Sequence, residues 1–342
     1  MFFLLLAILI LALYRVRVSW NGVHDDYLSK NKTDSIKGIF ILLIVLTHSL
    51  QYIKHSSYRF DQFGDGLLLW FVVHLSQLVV VMFLFYSGYG VGESLKQRGV
   101  AYVNSFPRHR LLTTILNFDV AVVVFIVVWL ILGVTFPLNK YMLSLIAWDG
   151  VGNSNWYIFV ILLCYLFTYI ALILPLPNRV YKVILLYALC FLTILVLSSC
   201  KGSWWYNTIL CYPTGFLFST YKDSFERVFR KYYWLVVGAL AVLFVFLYRL
   251  PQDGLCLTFN ALSIVFAFLV VVMSIKISIG NPVLQWVGNN LFPIYIYMRL
   301  PMLILENKVP NIIATQPAVF IVVSLLITVV VAHFYRLWQI KL

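Results

Sequence analysis

The chain has 342 residues, 63% of them hydrophobic and 11% charged, with a mean hydropathy of +0.94 and a formal net charge of +13. Soluble domains carry about 25% charged residues, so a soluble globular class is excluded. The positive charges are scattered over short connections rather than gathered in a patch, which excludes a nucleic-acid-binding surface.

Apolar runs of near-spanning length predict transmembrane helices near residues 1–14, 36–54, 67–91, 117–136, 154–174, 182–199, 206–220, 234–249, 255–275, 286–305 and 317–335. The runs do not alternate as barrel strands do, so the fold class is all-α: a polytopic transmembrane bundle of about eleven spans. The first run is short, has no basic residues before it and no small-residue cleavage site, and is followed by Arg15 and Arg17. It reads as an uncleaved anchor, with 1–35 forming an N-terminal anchor and linker and 36–342 the membrane core. The longest polar connections, about 18–30, 93–112 and 221–231, are too short for a soluble domain.

Placing the loop before Lys37 in the cytoplasm and alternating from there puts most of the 25 Lys and Arg residues on the cytoplasmic side. That bias follows the positive-inside rule and predicts the N-terminus outside and the C-terminus in the cytoplasm. Much of the net charge then faces anionic cytoplasmic lipid. Cys164, Cys190, Cys200, Cys211 and Cys256 lack metal-ligand spacing and lie mostly in apolar runs, so they read as small buried hydrophobes and no metal is expected.

The stretch KGIFILLIVLTHSL, residues 37–50, joins a cation to an imidazole. Eleven helical residues rise about 16.5 Å and turn about 1100°, three turns plus roughly 20°, so Lys37 and His48 share a face. Lys37 taken alone is an ordinary snorkelling cation. His48 lies half way or more through a core about 30 Å thick, where an ionisable side chain faces the bundle interior or a wet cavity. A structural hydrogen bond between helices is the competing account of His48.

A basic residue, ten intervening residues and then His in the first core helix resemble the acyltransferase-3 family of membrane-bound acyltransferases. The resemblance extends through FLFYSGYGVGES (83–94), SFPRHRLL (105–112), NSNWYIFVILLCYL (153–166), ILCYPTGFLFSTY (209–221) and VGNNLFPIYIYMRLPM (287–302). It covers about 36–336 and implies a ten-helix core preceded here by one extra anchor. Lys37 stands in place of the commoner Arg, and Arg299 where the penultimate helix of the family often carries a His. The resemblance implies an integral membrane O-acyltransferase of the bacterial cytoplasmic membrane. It would transfer an acetyl group from cytoplasmic acetyl-CoA to a cell-surface polysaccharide or a lipid-linked sugar.

The residues fit such chemistry. Acyl transfer to a hydroxyl needs a base and donors for the developing oxyanion. His48 suits the base, because its ordinary pKa lies near working pH. Lys37, Arg108 and Arg110 supply cations for a phosphate-rich acyl-CoA at the cytoplasmic mouth, although Arg108 and Arg110 taken alone read as positive-inside anchors. Arg299, a guanidinium within an apolar helix, is a candidate acceptor-site residue, with a structural ion pair to Glu306 or Asp119 as the other account. Trp156 is placed to stack on a sugar or to join an interfacial aromatic belt. His74 is a further candidate for substrate binding, against a helix–helix hydrogen bond. Ser87 has no base near it in sequence, and Gly88 and Gly90 read as close-packing positions. The competing function is a transporter or flippase of glycan intermediates, with His48, Arg299 and Asp119 lining its path; no symmetric pair of broken helices supports it.

Overall fold

The computed structural model describes residues 1–75, 77–251 and 253–342, and nearly all of its regular structure is helical. In lipid a helix satisfies its own N–H and C=O groups, which is why these apolar segments take that form. The chain opens with α1 (Phe2–Leu13), makes a short strand β1 (Val16–Val18) and enters α2 (Lys30–His55). Then α3 (Asp65–Leu75) and α4 (Leu78–Phe106) lead through a π-helical turn at Pro107–Leu112 into α5 (Thr113–Ile131). The next helices are α6 (Leu138–Leu145), α7 (Trp156–Ile173), α8 (Arg179–Ser198) and α9 (Cys211–Thr220). They are followed by α10 (Lys222–Lys231), α11 (Tyr233–Arg249) and α12 (Leu257–Lys276). Strand β2 (Ile277–Ile279) pairs antiparallel with β1, Val16 opposite Ile279. The chain closes with α13 (Pro282–Asn289), α14 (Leu291–Tyr297), α15 (Arg299–Lys308), α16 (Pro310–Thr315) and α17 (Pro317–Phe334).

The molecule is the all-α polytopic bundle that the apolar runs predict. Among the described residues six helical runs are long and apolar enough to cross a membrane, and a seventh if α10 and α11, bent by 100°, form one span. One of the six takes in α3, α4, the π-helical turn and α5 and holds two of the expected spans. Three other expected spans take a different form. The segment at 1–14 is a helix of 12 residues, about 18 Å long. The segment at 206–220 contains only the 10-residue α9. The segment at 286–305 is divided among α13, α14 and α15. Apolarity does not report such breaks. Asn290 leaves helical geometry between α13 and α14, and Pro293 and Pro301, near the starts of α14 and α15, each lack a backbone N–H. The expected polar connection at 93–112 is helical throughout, with a kink at Gly99, whose φ is +55°.

Two helix pairs approach so closely that only hydrogen fits between their backbones. At the α2–α13 crossing, a Cβ on Gly38 would strike the carbonyl of Leu284, and one on Gly288 the carbonyl of Asp34. At the α4–α9 crossing, a Cβ on Gly88 would strike the carbonyl of Tyr212, and one on Gly215 the carbonyl of Phe85. Small residues at facing positions are how membrane helices gain contact when lipid removes the hydrophobic drive for association. Gly88 therefore has the close-packing role expected of it. Gly90 does not: a Cβ there would meet nothing within 4 Å, and the residue faces a cavity.

Polar contacts tie the helices together at both ends of the bundle. At one end Arg230 reaches Asp25 at 2.7 Å, Lys276 donates to the Trp20 carbonyl at 2.6 Å, and the Asn117 amide pairs with the backbone of Ile340. At the other, Lys201 donates to the Trp148 carbonyl at 2.7 Å, and the Met1 ammonium lies 3.8 Å from the buried Asp65 carboxylate. The glycine crossings fix how the helices between these ends are rotated. A Gly215→Val substitution should cost about 3 kcal/mol or more through backbone collision. The check is thermal unfolding of the detergent-solubilised protein, with loss of a monodisperse species expected.

Candidate active site

A cavity of about 750 Å³ opens between α2, α4, α7 and the α13–α14 junction. Its walls change character along its length. Lys30, Lys37 and Arg110 bring positive charge against the lining carboxylate of Glu93, while Phe83, Tyr86 and Tyr157 make other parts aromatic. Four helices distant in sequence meet here because the α2–α13 and α4–α9 crossings hold α2 and α4 in fixed rotation. Gly90 leaves part of the α4 wall open.

The charged part is built around a buried carboxylate. Asp34 accepts from Lys37 Nζ at 2.6 Å and from Lys30 Nζ at 2.9 Å. Its side chain is 4% exposed, against 24% for Lys37. Lys30 also donates to Asn289 Oδ1 at 2.5 Å, tying α2 to the end of α13. Asp34 is not among the residues the sequence singles out. The signal was present in KNKTDSIK, where Asp34 stands four residues after Lys30 and three before Lys37. Arg110 Nε donates to Tyr102 Oη at 3.3 Å, and its guanidinium lies 5.8 Å from the Tyr165 ring centre. Arg110 also lines an adjoining cavity of about 390 Å³ that Asn117 and Arg336 share. Arg108, by contrast, is exposed and lines neither cavity.

His48 belongs to a separate cluster further along α2. From Phe40 to Leu50 every residue is buried except Thr47 and His48, which are partly accessible. His48 Nδ1 lies 3.0 Å from Gln51 Oε1. That oxygen accepts, and in the tautomer that donates to it from Nδ1, Nε2 presents a lone pair. The Arg299 guanidinium lies 5.5 Å from the ring centre of Tyr52, one turn beyond His48. Arg299 Nε is buried with no hydrogen-bond partner. Among the described residues Arg299 forms no ion pair with Glu306 or Asp119. A buried guanidinium donor left open is costly unless something else takes it up.

Aromatic residues join the two regions. Tyr157 lines the cavity and packs 5.4 Å from Tyr295, which stands one helical turn before Arg299. The hydroxyls of Tyr86 and Tyr295 are buried without partners. Ser87 also lines the cavity, and its hydroxyl is 2.8 Å from that of Tyr165, with no base beside it. Trp156 caps this region edge-on to Tyr157 at 6.0 Å, partly accessible at the start of α7. His74 stands elsewhere. Its Nδ1 lies 2.7 Å from the Trp70 carbonyl, and its ring stacks between Trp70 and Tyr248 on α11.

A bundle of membrane helices enclosing a basic, aromatic-walled cavity, with a histidine and an arginine of unpartnered Nε elsewhere in the same bundle, has the parts of a membrane-embedded transferase. A family model described as an acyltransferase domain matches residues 31–335, and the chain belongs to that acyltransferase-3 family. It is a multi-pass membrane acyltransferase. No curated protein and no solved structure matches the chain.

The opening at Gly90 gives a steric test of the cavity. Gly90→Phe should lower acyl transfer by about 100-fold or more, because the ring occupies substrate space, a loss of roughly 2.7 kcal/mol of transition-state binding. The melting temperature should stay within a few degrees of wild type, since a Cβ at this position meets nothing within 4 Å and the cavity takes the ring. Activity and thermal unfolding measured on the same preparation check this.

Proposed function

We propose that the protein is an O-acetyltransferase that moves an acetyl group from acetyl-CoA to a hydroxyl of a cell-surface polysaccharide or lipid-linked sugar. The observation that carries this reading is that Lys37 and Arg110, from separate helices, line one cavity of about 750 Å³. That volume lies within the range of small-molecule sites, about 300–1,000 Å³. Cations at a cavity mouth suit the phosphates of an acyl-CoA, and an apolar, aromatic interior suits its uncharged arm. Arg110 is the better placed of the two arginines in SFPRHRLL. Arg108 would act at most on donor approaching from outside the cavity.

In this reading the donor arm extends from the cations past the Tyr157–Tyr295 wall towards His48 and Arg299. His48 Nε2 takes the proton of the acceptor hydroxyl as its oxygen bonds to the thioester carbonyl carbon. The carbon–sulfur bond then breaks, and the proton passes to the departing thiolate, leaving an ester and a free thiol. The unpartnered Arg299 Nε–H supplies a donor for the developing oxyanion or for an acceptor oxygen. Trp156, beside Tyr157, offers a face for the acceptor sugar. His74, bonded within its own helix and stacked on two rings, would have to act from the periphery. The end of the bundle that carries Lys37 and Arg110 faces the cytoplasm of a bacterial inner membrane, which puts the C-terminus inside and Met1 outside.

Mass analysis of surface glycans from cells with and without the protein tests this. Loss of an acetyl increment, restored by wild type and not by an equally abundant His48→Ala protein, is the expected result. Restoration by His48→Ala at the wild-type rate would remove His48 as the base.

A further inference from the structure

A second basic pocket lies apart from the cavity, where the β1–β2 ribbon meets the start of α2. It encloses about 630 Å³, and Arg15, Arg17 and Lys32 line it against a single carboxylate, Asp26. Lys32 is engaged already: its ammonium is 2.5 Å from Ser278 Oγ and 3.9 Å from Asp26. The neighbouring Asp25 is held by Arg230 at 2.7 Å. Among the described residues neither Arg15 nor Arg17 has a carboxylate partner. Two guanidiniums with uncommitted donors therefore share one concavity, a donor set that matches phosphate oxygens.

The backbone supports a built site. Arg15 has a φ of +62°, a left-handed conformation that costs a non-glycine residue free energy. The antiparallel ladder that begins at the next residue, Val16 opposite Ile279, holds it there.

What lies beside the pocket points to the ligand. Phe3, Leu6, Ile10 and Leu13 of α1 are exposed and spaced three, four and three residues apart, so they form one apolar stripe ending just before Arg15. Tyr14 and Trp20 are exposed next to the pocket, as aromatic residues at a membrane interface are. A soluble phosphate would have no use for the stripe, whereas a phospholipid meets both features at once. We propose that this pocket binds the phosphate of an anionic membrane phospholipid, held by Arg15 and Arg17, with an acyl chain lying along the Phe3–Leu13 stripe of α1. The inference rests on the membrane placement alone and is independent of the acetyl-transfer chemistry.

Native mass spectrometry of the full chain, released from vesicles containing equal amounts of phosphatidylglycerol and phosphatidylcholine, tests it. Wild type should retain phosphatidylglycerol over phosphatidylcholine by about tenfold. The preference should vanish in Arg15→Gln/Arg17→Gln and persist in Arg227→Gln/Lys231→Gln, which removes two exposed cations from α10 at the same end. Gln285→Trp, which fills the pocket and keeps every charge, should also lose the preference, and it decides the matter if the double arginine variant does not fold. Equal retention of both lipids by wild type would overturn the proposal, as would an equal loss in the α10 variant. Displacement of the lipid by millimolar inorganic phosphate would reassign the pocket to a soluble anion and overturn it as well.

Discussion

The crossing of α2 over α13 fixes everything that follows. Gly288 lies against the carbonyl of Asp34 with no room for a side chain, and the carboxylate of the same Asp34 holds Lys30 and Lys37. One residue thus sets both the distance between two helices and the direction of two cations. Because α2 is pinned at this point, its rotation is set along its whole length. That rotation carries His48 to the face where Arg299 meets Tyr52. The second notched crossing, α4 on α9, fixes the opposite wall of the cavity in the same way and leaves Gly90 free to shape it.

The site divides into a charged region and a buried polar one, joined by tyrosines. Lys37 and Arg110 face the cavity, while His48 and Arg299 are not among the residues that line it. Such a division suits a reaction between a soluble, highly charged donor and an acceptor that approaches from elsewhere. Binding the donor needs fixed cations near solvent. The chemical step needs a neutral base and an open hydrogen-bond donor held away from bulk water, where electrostatic effects are larger. The unpartnered hydroxyls of Tyr86 and Tyr295 and the unpartnered Nε of Arg299 lie along the same course. Leaving several donors open in a membrane interior is expensive, and substrate is the natural compensation.

Much of this was legible in the sequence. Composition excluded a soluble fold, and the helical turn placed Lys37 and His48 on one stripe before any contact was known. The family motifs fell in order, and residues 31–335 match the family. What escaped was set by pairings between distant segments. Asp34 looked like one more polar residue at a helix start, because its burial depends on α13. Gly90 looked like Gly88, because only the partner helix tells a packed glycine from one facing a cavity. The segment 286–305 looked continuous because hydropathy averages over Asn290 and two prolines, Pro293 and Pro301, that lack a backbone donor. That His48 is not part of the cavity lining was equally hidden: helical geometry gives a shared face, not which residues reach the cavity.

The central claim is that donor binding and proton transfer belong to different ends of this course. Equilibrium binding of radiolabelled acetyl-CoA to the purified full chain, measured alongside transfer, tests it most directly. Lys37→Ala and Arg110→Ala should each weaken binding by about tenfold, while His48→Ala should bind as wild type does and transfer nothing. A His48→Ala protein that loses donor binding as severely as Arg110→Ala, or that binds and still transfers, would contradict the account.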